Sequence, residues 1–331
     1  MQAFHNDAEL KSVTIERLRQ HMEAGELVPQ HRFWEGGKGS PAGCSVHDAD
    51  PLVYESKLGI ARMVLPLMEH LYSFSQLLLK PQEGNWLLPR ARNLLGWVQP
   101  EQLLASKRFP IDWLEAIPVG ADLSGVCTQF VLWLFTDACH GVLSMTTNTR
   151  VRELVGKVVE AHRGTAAGAQ LPDKHWAALR SHALALREAW AQMSVSAEAR
   201  AAEVAGTASW PQKQGGGRVA EETLSGWWRV AEGQAAAASG WTDADQQEIH
   251  RAADGLRSAL EAIPVGADKA TIAVARDAAF AASKHHMQTE LADLSARGAA
   301  YTEETAKRQW SLIGAGEQAL LRILRAAPVP A

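Results

Sequence analysis

Cysteine is scarce in this sequence. The 331-residue chain has three cysteines, Cys44, Cys127 and Cys139. An odd number without the spacing of a small disulfide-rich protein excludes a disulfide framework. Because structural disulfides persist mainly in oxidising compartments, we expect this protein in the reducing cytoplasm.

Long hydrophobic runs and an excess of one charge are also missing. The most apolar stretch, residues 126–135, is shorter than the about 18–20 residues that cross a bilayer. The N-terminus lacks the basic and apolar regions of a secretory signal peptide. The net charge is −4 and lysine and arginine form no stripe, whereas nucleic-acid binding needs a basic patch. Neither a membrane nor a nucleic acid is therefore expected as a partner.

Strand patterns are absent, whereas helix patterns are abundant. No segment shows convincing period-2 alternation, but several show apolar residues at helical spacing, as in residues 149–162. Twelve tryptophans and an alanine-rich second half suit close packing of helices. These features predict an all-α fold, a multi-helix bundle or array with a long glycine-rich loop near the N-terminus.

The predicted organisation has two regions. Residues 1–145 form an N-terminal helical region, and residues 146–331 form an alanine-rich helical region. One continuous domain is the alternative. Residues 206–217 have the glycine-rich composition of a linker.

One nine-residue sequence occurs twice, Leu-Glu-Ala-Ile-Pro-Val-Gly-Ala-Asp, at residues 114–122 (the first corner) and 260–268 (the second corner). In each copy the proline stops a helix, the glycine permits a turn with positive φ, and the aspartate suits the start of the next helix. The flanking residues do not match, which disfavours a duplicated domain. The repeat therefore predicts two similar helix–helix corners.

The segment from Leu27 to Asp50 is predicted to be a long irregular loop, and such loops are often functional. Cys44 and His47 are its best nucleophile and base, because an imidazole activates a nearby thiol. Asp48 or Asp50 could orient His47. The competing interpretation is that Cys44 only packs in the interior.

Glycines and a lysine in the same segment suggest a binding role. The backbone N–H groups of Gly36, Gly37, Lys38 and Gly39 could bind an anion beside Trp34. The spacing is not that of a P-loop, and no strand precedes it. A small-molecule ligand is therefore an alternative to a protein partner.

Metal binding is a weaker hypothesis. Cys44, His47, His31 and His5 could contribute to a zinc site, but their spacing fits no compact ligand pattern. We therefore expect no metal and no cofactor.

The remaining histidines and tryptophans are assigned to structure. Histidines scattered along predicted helices are interpreted as surface residues: His21, His162, His175 and His182. His286 and Glu290 lie one helical turn apart, a spacing usable for metal but commoner on a solvated face. Trp227, Trp228 and Trp241 suit a core, with an apolar ligand pocket as the alternative.

A set of short motifs is distributed along nearly the whole chain. They are His5-Asn6-Asp7, Trp34 to Cys44, Tyr54-Glu55 with Leu58-Gly59-Ile60, residues 116–124, and Asp137 with His140-Gly141-Val142. Together they resemble a family of bacterial and phage-borne proteins with no established activity. Ser40 stands where that family has the first cysteine of its loop, and residues 73–110 are longer than usual. The alanine-rich half also resembles proteins of bacterial immunity.

Two hypotheses on function follow. The first is a cytoplasmic helical protein that binds another protein, in the setting of bacterial immunity or phage–host conflict that the resemblance implies. The alternative is an enzyme or small-molecule binder that uses residues 34–47, with Cys44 as its reactive thiol. Whether the chain is an enzyme stays open at the level of sequence.

Overall fold

A computed structural model describes residues 1–30, 32–79, 98–190, 195–211 and 217–330. Within these ranges the chain forms fourteen α-helices and one two-stranded hairpin, which confirms the predicted all-α fold. In the part of the chain that the structure describes, no helix is both long and apolar enough to span a membrane.

The N-terminal region begins with a 3₁₀ turn at Ala3–Asn6 and contains a short antiparallel hairpin, β1 (Trp34–Glu35) with β2 (Lys38–Gly39). Its helices are α1 (Ala8–Glu23), α2 (Pro41–Val46), α3 (Pro51–Leu58), α4 (Leu65–Leu79), α5 (Pro100–Ala116), α6 (Val126–Thr136) and α7 (Val142–Met145). The alanine-rich region contains α8 (Thr149–Ala166), α9 (Asp173–Ala189), α10 (Ala197–Ala208), α11 (Gly217–Ser239), α12 (Asp243–Glu261), α13 (Lys269–Thr289) and α14 (Ala292–Arg325).

Several helices begin where their capping residues predict. The Asp7 carboxylate accepts hydrogen bonds from the backbone N–H groups of Glu9 and Leu10, at the start of α1. Asn148 caps α8 in the same way, by accepting from the N–H of Val151. The predicted amphipathic stripe of α8 is buried: Val151, Leu154, Val155, Val158 and Val159.

Two prolines have positions within helices that the sequence pattern does not predict. The sequence predicts one helix from Pro51 to Tyr72 with a kink or break at Pro66, but the break lies earlier, because Gly59 ends α3 in a left-handed conformation with φ 62°. Pro66 is instead the second residue of α4, where its missing N–H costs no helical bond. Pro110 lies inside α5, although residues 73–110 are predicted to form short helices and turns. Residues 80–97 of that segment lie outside the described residues.

One large hydrophobic core joins the two predicted regions. It runs from Ala3 to Ala327 and includes Phe130, Trp227 and Leu320, all buried completely. Helices α10 and α11 pack side by side, and a Cβ on Gly226 would lie 2.8 Å from Val204 Cγ2. Small residues therefore set this close approach. Of the predicted linker, residues 206–208 belong to α10, and residues 212–216 lie outside the described residues.

Helices α12 and α13, with the second corner between them, form a projecting hairpin arm (residues 243–289). Only three of its residues are buried, Asp245, Ile249 and Met287, and all three lie far from the corner. Ile249 and Met287 belong to a small second core with Ala236, Trp241 and Leu294. The base of the arm is thus anchored, while its outer turns are exposed.

Candidate functional site

The segment predicted to be an irregular loop is folded. It contains the β1–β2 hairpin, which turns at Gly36 and Gly37 with positive φ, followed by α2, which Ser40 caps by accepting from the N–H of Gly43 at 3.2 Å. Gly43 serves close packing, because a Cβ there would lie 2.1 Å from the carbonyl oxygen of Phe33. Strands of two residues and a helix of six are too short to produce a visible periodicity, which is why the sequence pattern misses them.

The predicted nucleophile, Cys44, does not have the environment of a reactive thiol. It lies on α2 with no exposed surface. Burial raises the pKa of its thiol to about 12, and the negative charges of Glu26 and Glu69 act in the same direction. The thiolate is the reactive form of cysteine, so this geometry favours the competing interpretation, a packed interior cysteine.

The predicted base and its orienting acid are also separated. Asp48 accepts a hydrogen bond from the N–H of Asp50 at 2.9 Å, and Asp50 in turn caps α3 through the N–H of Leu52. Both carboxylates therefore serve local backbone geometry. His47 follows α2 in a left-handed conformation with φ 56°, and its ring faces a different partner, His21.

His21, on α1, and His47 form an imidazole pair. Their Nε2 atoms lie 2.9 Å apart, and the Nδ1 of His21 lies 2.6 Å from a carboxylate oxygen of Glu26. Trp34 stacks on the ring of His47, with 4.5 Å between ring centroids and an angle of 10° between planes. A carboxylate, two imidazoles and an indole thus meet beside a groove of about 690 Å³ along α1.

The hydrogen-bond chain fixes proton positions when both rings are neutral. His21 donates its Nδ1–H to Glu26, so its Nε2 carries a lone pair and His47 must donate its own Nε2–H. The Nδ1 of His47 is then the basic nitrogen. Burial lowers the pKa of His47, and electrostatic interactions with Arg17, His21 and Lys57 lower it further. This arrangement can hold or move one proton along three groups.

The predicted binding residues divide into two groups. Trp34 contacts the imidazole pair, whereas Gly36, Gly37 and Lys38 lie exposed at the turn of the hairpin. The backbone of Gly39 is already used: its N–H donates to the carbonyl of Glu26 at 3.1 Å, and its carbonyl accepts from the N–H of Val28.

The zinc hypothesis gains no support within the described residues. There, no three histidine, cysteine, aspartate or glutamate side chains converge as metal ligands. His5 bonds the carbonyl of Ser56 at 2.9 Å, away from Cys44, and His31 lies outside the described residues. His286 and Glu290 face each other at 3.2 Å on the outside of α13.

Four polar residues have positions that the sequence pattern did not predict. His21 and Glu26 lack a local motif, because their neighbour His47 comes from another element. His162, predicted to lie on the surface, is completely buried and bonds the carbonyl of Ala208 at 2.9 Å. Glu69 is fully buried and holds the N–H of Ala42 at 2.8 Å, and burial raises its pKa to about 7. A glutamate inside the apolar run of residues 64–72 was the available signal.

Trp227 and Trp241 lie in hydrophobic cores, whereas Trp228 is half-buried. Trp227 is completely buried and donates its indole N–H to the carbonyl of His140 at 2.7 Å. Trp228 stacks on Phe74. Trp241 stacks on Tyr301 and borders a cavity of about 820 Å³, so an apolar pocket stays the alternative at this residue.

The two corners share their local structure. In both, the isoleucine N–H donates to the leucine carbonyl and the second alanine N–H donates to the proline carbonyl. The glycine has φ 77° at Gly120 and φ 91° at Gly266. Each aspartate accepts from the N–H two residues later, at Ser124 or Ala270.

Their roles in the next helix differ from the prediction in one copy. Asp268 caps α13 as predicted, by accepting also from the N–H of Thr271. After the first corner, α6 begins only at Val126, because Asp122 instead bonds both the N–H and the hydroxyl of Ser124 in a separate turn.

The surroundings of the two corners are opposite. In the first, Leu114, Ile117 and Ala121 are buried in the main core. In the second, the valine (Val265) is fully exposed at the end of the hairpin arm. Two more large apolar side chains, Ile272 and Val274, are exposed within the first two turns of α13. This arm tip is an apolar surface that the described part of the chain does not cover.

Comparison with known proteins finds no matching family model, no matching curated sequence and no matching solved structure.

Proposed function

We propose that this chain is a helical binding protein and that its hairpin arm contacts another protein. The observation that carries the proposal is the exposure of the second corner: a sequence that elsewhere in the same chain is buried in the core stands at the tip of the arm, with Val265 fully exposed. Covering apolar surface contributes about 25 cal/mol per Å², and exposed apolar clusters often mark contact sites.

The arm is built to present this surface. Its buried residues lie only near its base, and the α12 start is fixed by Thr242 and Asp245, which cap each other's backbone N–H groups. Arg297 of α14 donates to Asp245 at 2.5 Å and joins the base to the body. A partner can therefore reach the tip without displacing the main core.

The wider setting is part of the same proposal. Action in the cytoplasm rests on the low cysteine content, and a role in bacterial immunity or phage–host conflict rests on the motif resemblance. Neither is needed for the binding role of the arm.

A photo-crosslinking amino acid in place of Val265 tests the binding role. In the cells that make the protein, we expect a discrete crosslinked product from this position. The matched control places the same group at Val119, the equivalent position of the first corner, which packs partly against the core. If both positions give only the same diffuse background, the arm is not a protein contact.

A second candidate function is favoured by one specific observation, the Glu26–His21–His47 chain beside the α1 groove. It supports a small-molecule site with His47 as a proton acceptor, and no longer includes Cys44. His47→Asn tests it, because asparagine tolerates the left-handed backbone. A fragment screen by NMR should lose hits along α1 in this variant, while Cys44→Ser should lose none; equal hits in all three proteins would exclude the site.

A further inference from the structure

The first corner shows how this nine-residue sequence is covered by other polypeptide. Ala3 donates its N–H to the carbonyl of Ala121 at 3.0 Å and accepts from the N–H of Gly120 at 2.8 Å. The N–H of Asp122 donates to the carbonyl of Pro328 at 2.8 Å. Backbone groups from both ends of the chain therefore satisfy three backbone groups of the corner.

The same three groups of the second corner are the N–H of Gly266, the carbonyl of Ala267 and the N–H of Asp268. The local hydrogen bonds and the glycine conformation match those of the first corner, so these groups point outward in the same relative arrangement. None of them bonds another segment among the described residues. The second corner thus offers a set of donors and acceptors that the first corner uses.

The space around the second corner is also sufficient for a polypeptide segment like the one that covers the first corner. At the first corner the covering segment comes so close that a Cβ on Gly120 would lie 2.8 Å from the side-chain oxygen Oδ1 of Asn6. At Gly266 a Cβ would meet no described atom within 4 Å.

We infer that the second corner binds a short segment of a partner protein through backbone hydrogen bonds of the kind that Ala3 makes at the first corner. Main-chain pairing supplies affinity in such peptide recognition. The N-terminal segment of a second copy of this chain is already engaged by its own first corner, which favours a separate partner. The inference rests on the proposed binding role of the arm and specifies its chemistry.

The probe is a synthetic heptapeptide with the sequence of residues 1–7, titrated into the intact ¹⁵N-labelled protein. We expect saturable shifts of the Gly266 and Asp268 amide signals with a dissociation constant of about 1 mM, because so short a peptide loses much entropy on binding. The matched peptide carries an N-methyl group on the alanine, which removes its N–H. It should bind at least about fivefold more weakly, since it loses one of the two backbone bonds that Ala3 makes at the first corner.

Two protein variants separate this inference from the binding role. Gly266→Ala places a Cβ where the peptide approaches and should weaken peptide binding, whereas Gly168→Ala, at another open glycine with positive φ but outside the arm, should leave it unchanged. If the heptapeptide shifts no corner amide, or if the N-methyl peptide binds equally well, the backbone-pairing inference is wrong. A crosslinked partner at position 265 would then still support the arm as a contact, made by side-chain packing instead.

Discussion

The first and second corners have the same nine residues in two environments. Each ends a helix, turns at a glycine with positive φ and closes the turn with an aspartate, yet one is buried in the main core and the other is exposed at the tip of the arm. The comparison separates what a short sequence does locally from what its surroundings add. Four measurements test that separation.

The isoleucine pair should give the largest difference. Ile117 is completely buried, so Ile117→Ala should lower the free energy of unfolding by about 2–5 kcal/mol. Ile263 is only half-buried, so Ile263→Ala should cost about 1 kcal/mol or less. Urea denaturation of both variants measures the difference. Equal losses would mean that the second corner is also covered in solution.

Glu317 and Glu261 should differ in their effect on the pH dependence of stability. Glu317, on α14, is buried and accepts from the hydroxyl of Ser106 at 3.3 Å, and burial raises its pKa from 4.5 to about 8. The folded state thus keeps a proton that the unfolded state loses above about pH 4.5, so this contribution is complete below pH 4.5 and is lost as pH rises through 8.

Glu317→Gln should remove this loss of stability with rising pH. The free energy of unfolding of the variant, relative to that of the unmodified protein, should rise by roughly 2–4 kcal/mol between pH 4.5 and pH 8. The matched variant is Glu261→Gln in the exposed second corner, which should leave the profile unchanged. Thermal unfolding across this pH range compares them. Buried His162 acts in the opposite direction, because burial lowers its pKa to about 4 and its contribution is lost as pH falls below 6.5. A flat difference between Glu317→Gln and the unmodified protein would contradict the burial of Glu317.

The glycine pair should give an intermediate effect. Both Gly120 and Gly266 have positive φ, so alanine at either position should cost about 1–2 kcal/mol for the backbone alone. Gly120→Ala should cost more, because its Cβ would meet the Asn6 side chain. Adding Asn6→Gly, which removes the side chain and suits the φ of 61° at this position, should recover that excess and leave the backbone cost, as a double-mutant cycle by urea denaturation can measure. If Gly120→Ala costs no more than Gly266→Ala, the segment that covers the first corner moves to accommodate the added Cβ.

The valine pair should show the smallest effect on stability. Val265→Asp should change the free energy of unfolding by less than about 0.5 kcal/mol, because the side chain is fully exposed. Val119→Asp should destabilise more, since that valine packs partly against the core. The exposed variant should nevertheless abolish the crosslink to a partner made from a neighbouring arm position. If Val265→Asp retains the crosslink, the contact with the partner does not include the tip of the arm.

Much of the helical fold could be predicted from the sequence where the signal is local. Residues 149–162, whose apolar residues have helical spacing in the sequence, lie in α8, and the stripe of α8 is buried as predicted. Elements of two to six residues, such as β1 and α2, could not be found by periodicity. Helices α10 and α11 also escaped prediction, because their alanines and glycines give a packing surface without a large apolar stripe.

The candidate site was harder to predict for a different reason. The sequence pattern assigned Trp34 and His47 to different roles, a binding residue and a base for Cys44, and their partners His21 and Glu26 belong to α1 and the turn after it. The sequence also favoured Cys44 as a reactive thiol, and its burial on α2 is what argues against this role. Side chains from separate elements meet through tertiary packing, which no local spacing encodes.

The repeated nine residues show most clearly which properties are local to a short sequence and which depend on the rest of the fold. The sequence by itself determines the helix end, the glycine turn and the aspartate bond, because each depends on atoms within a few residues. Burial is decided by the tertiary structure: the first corner is covered by Ala3 and Pro328 from the two ends of the chain, and the second is held away from the body by two helices. Hydrogen bonds within a turn are local, whereas removal of apolar surface from water needs a second segment.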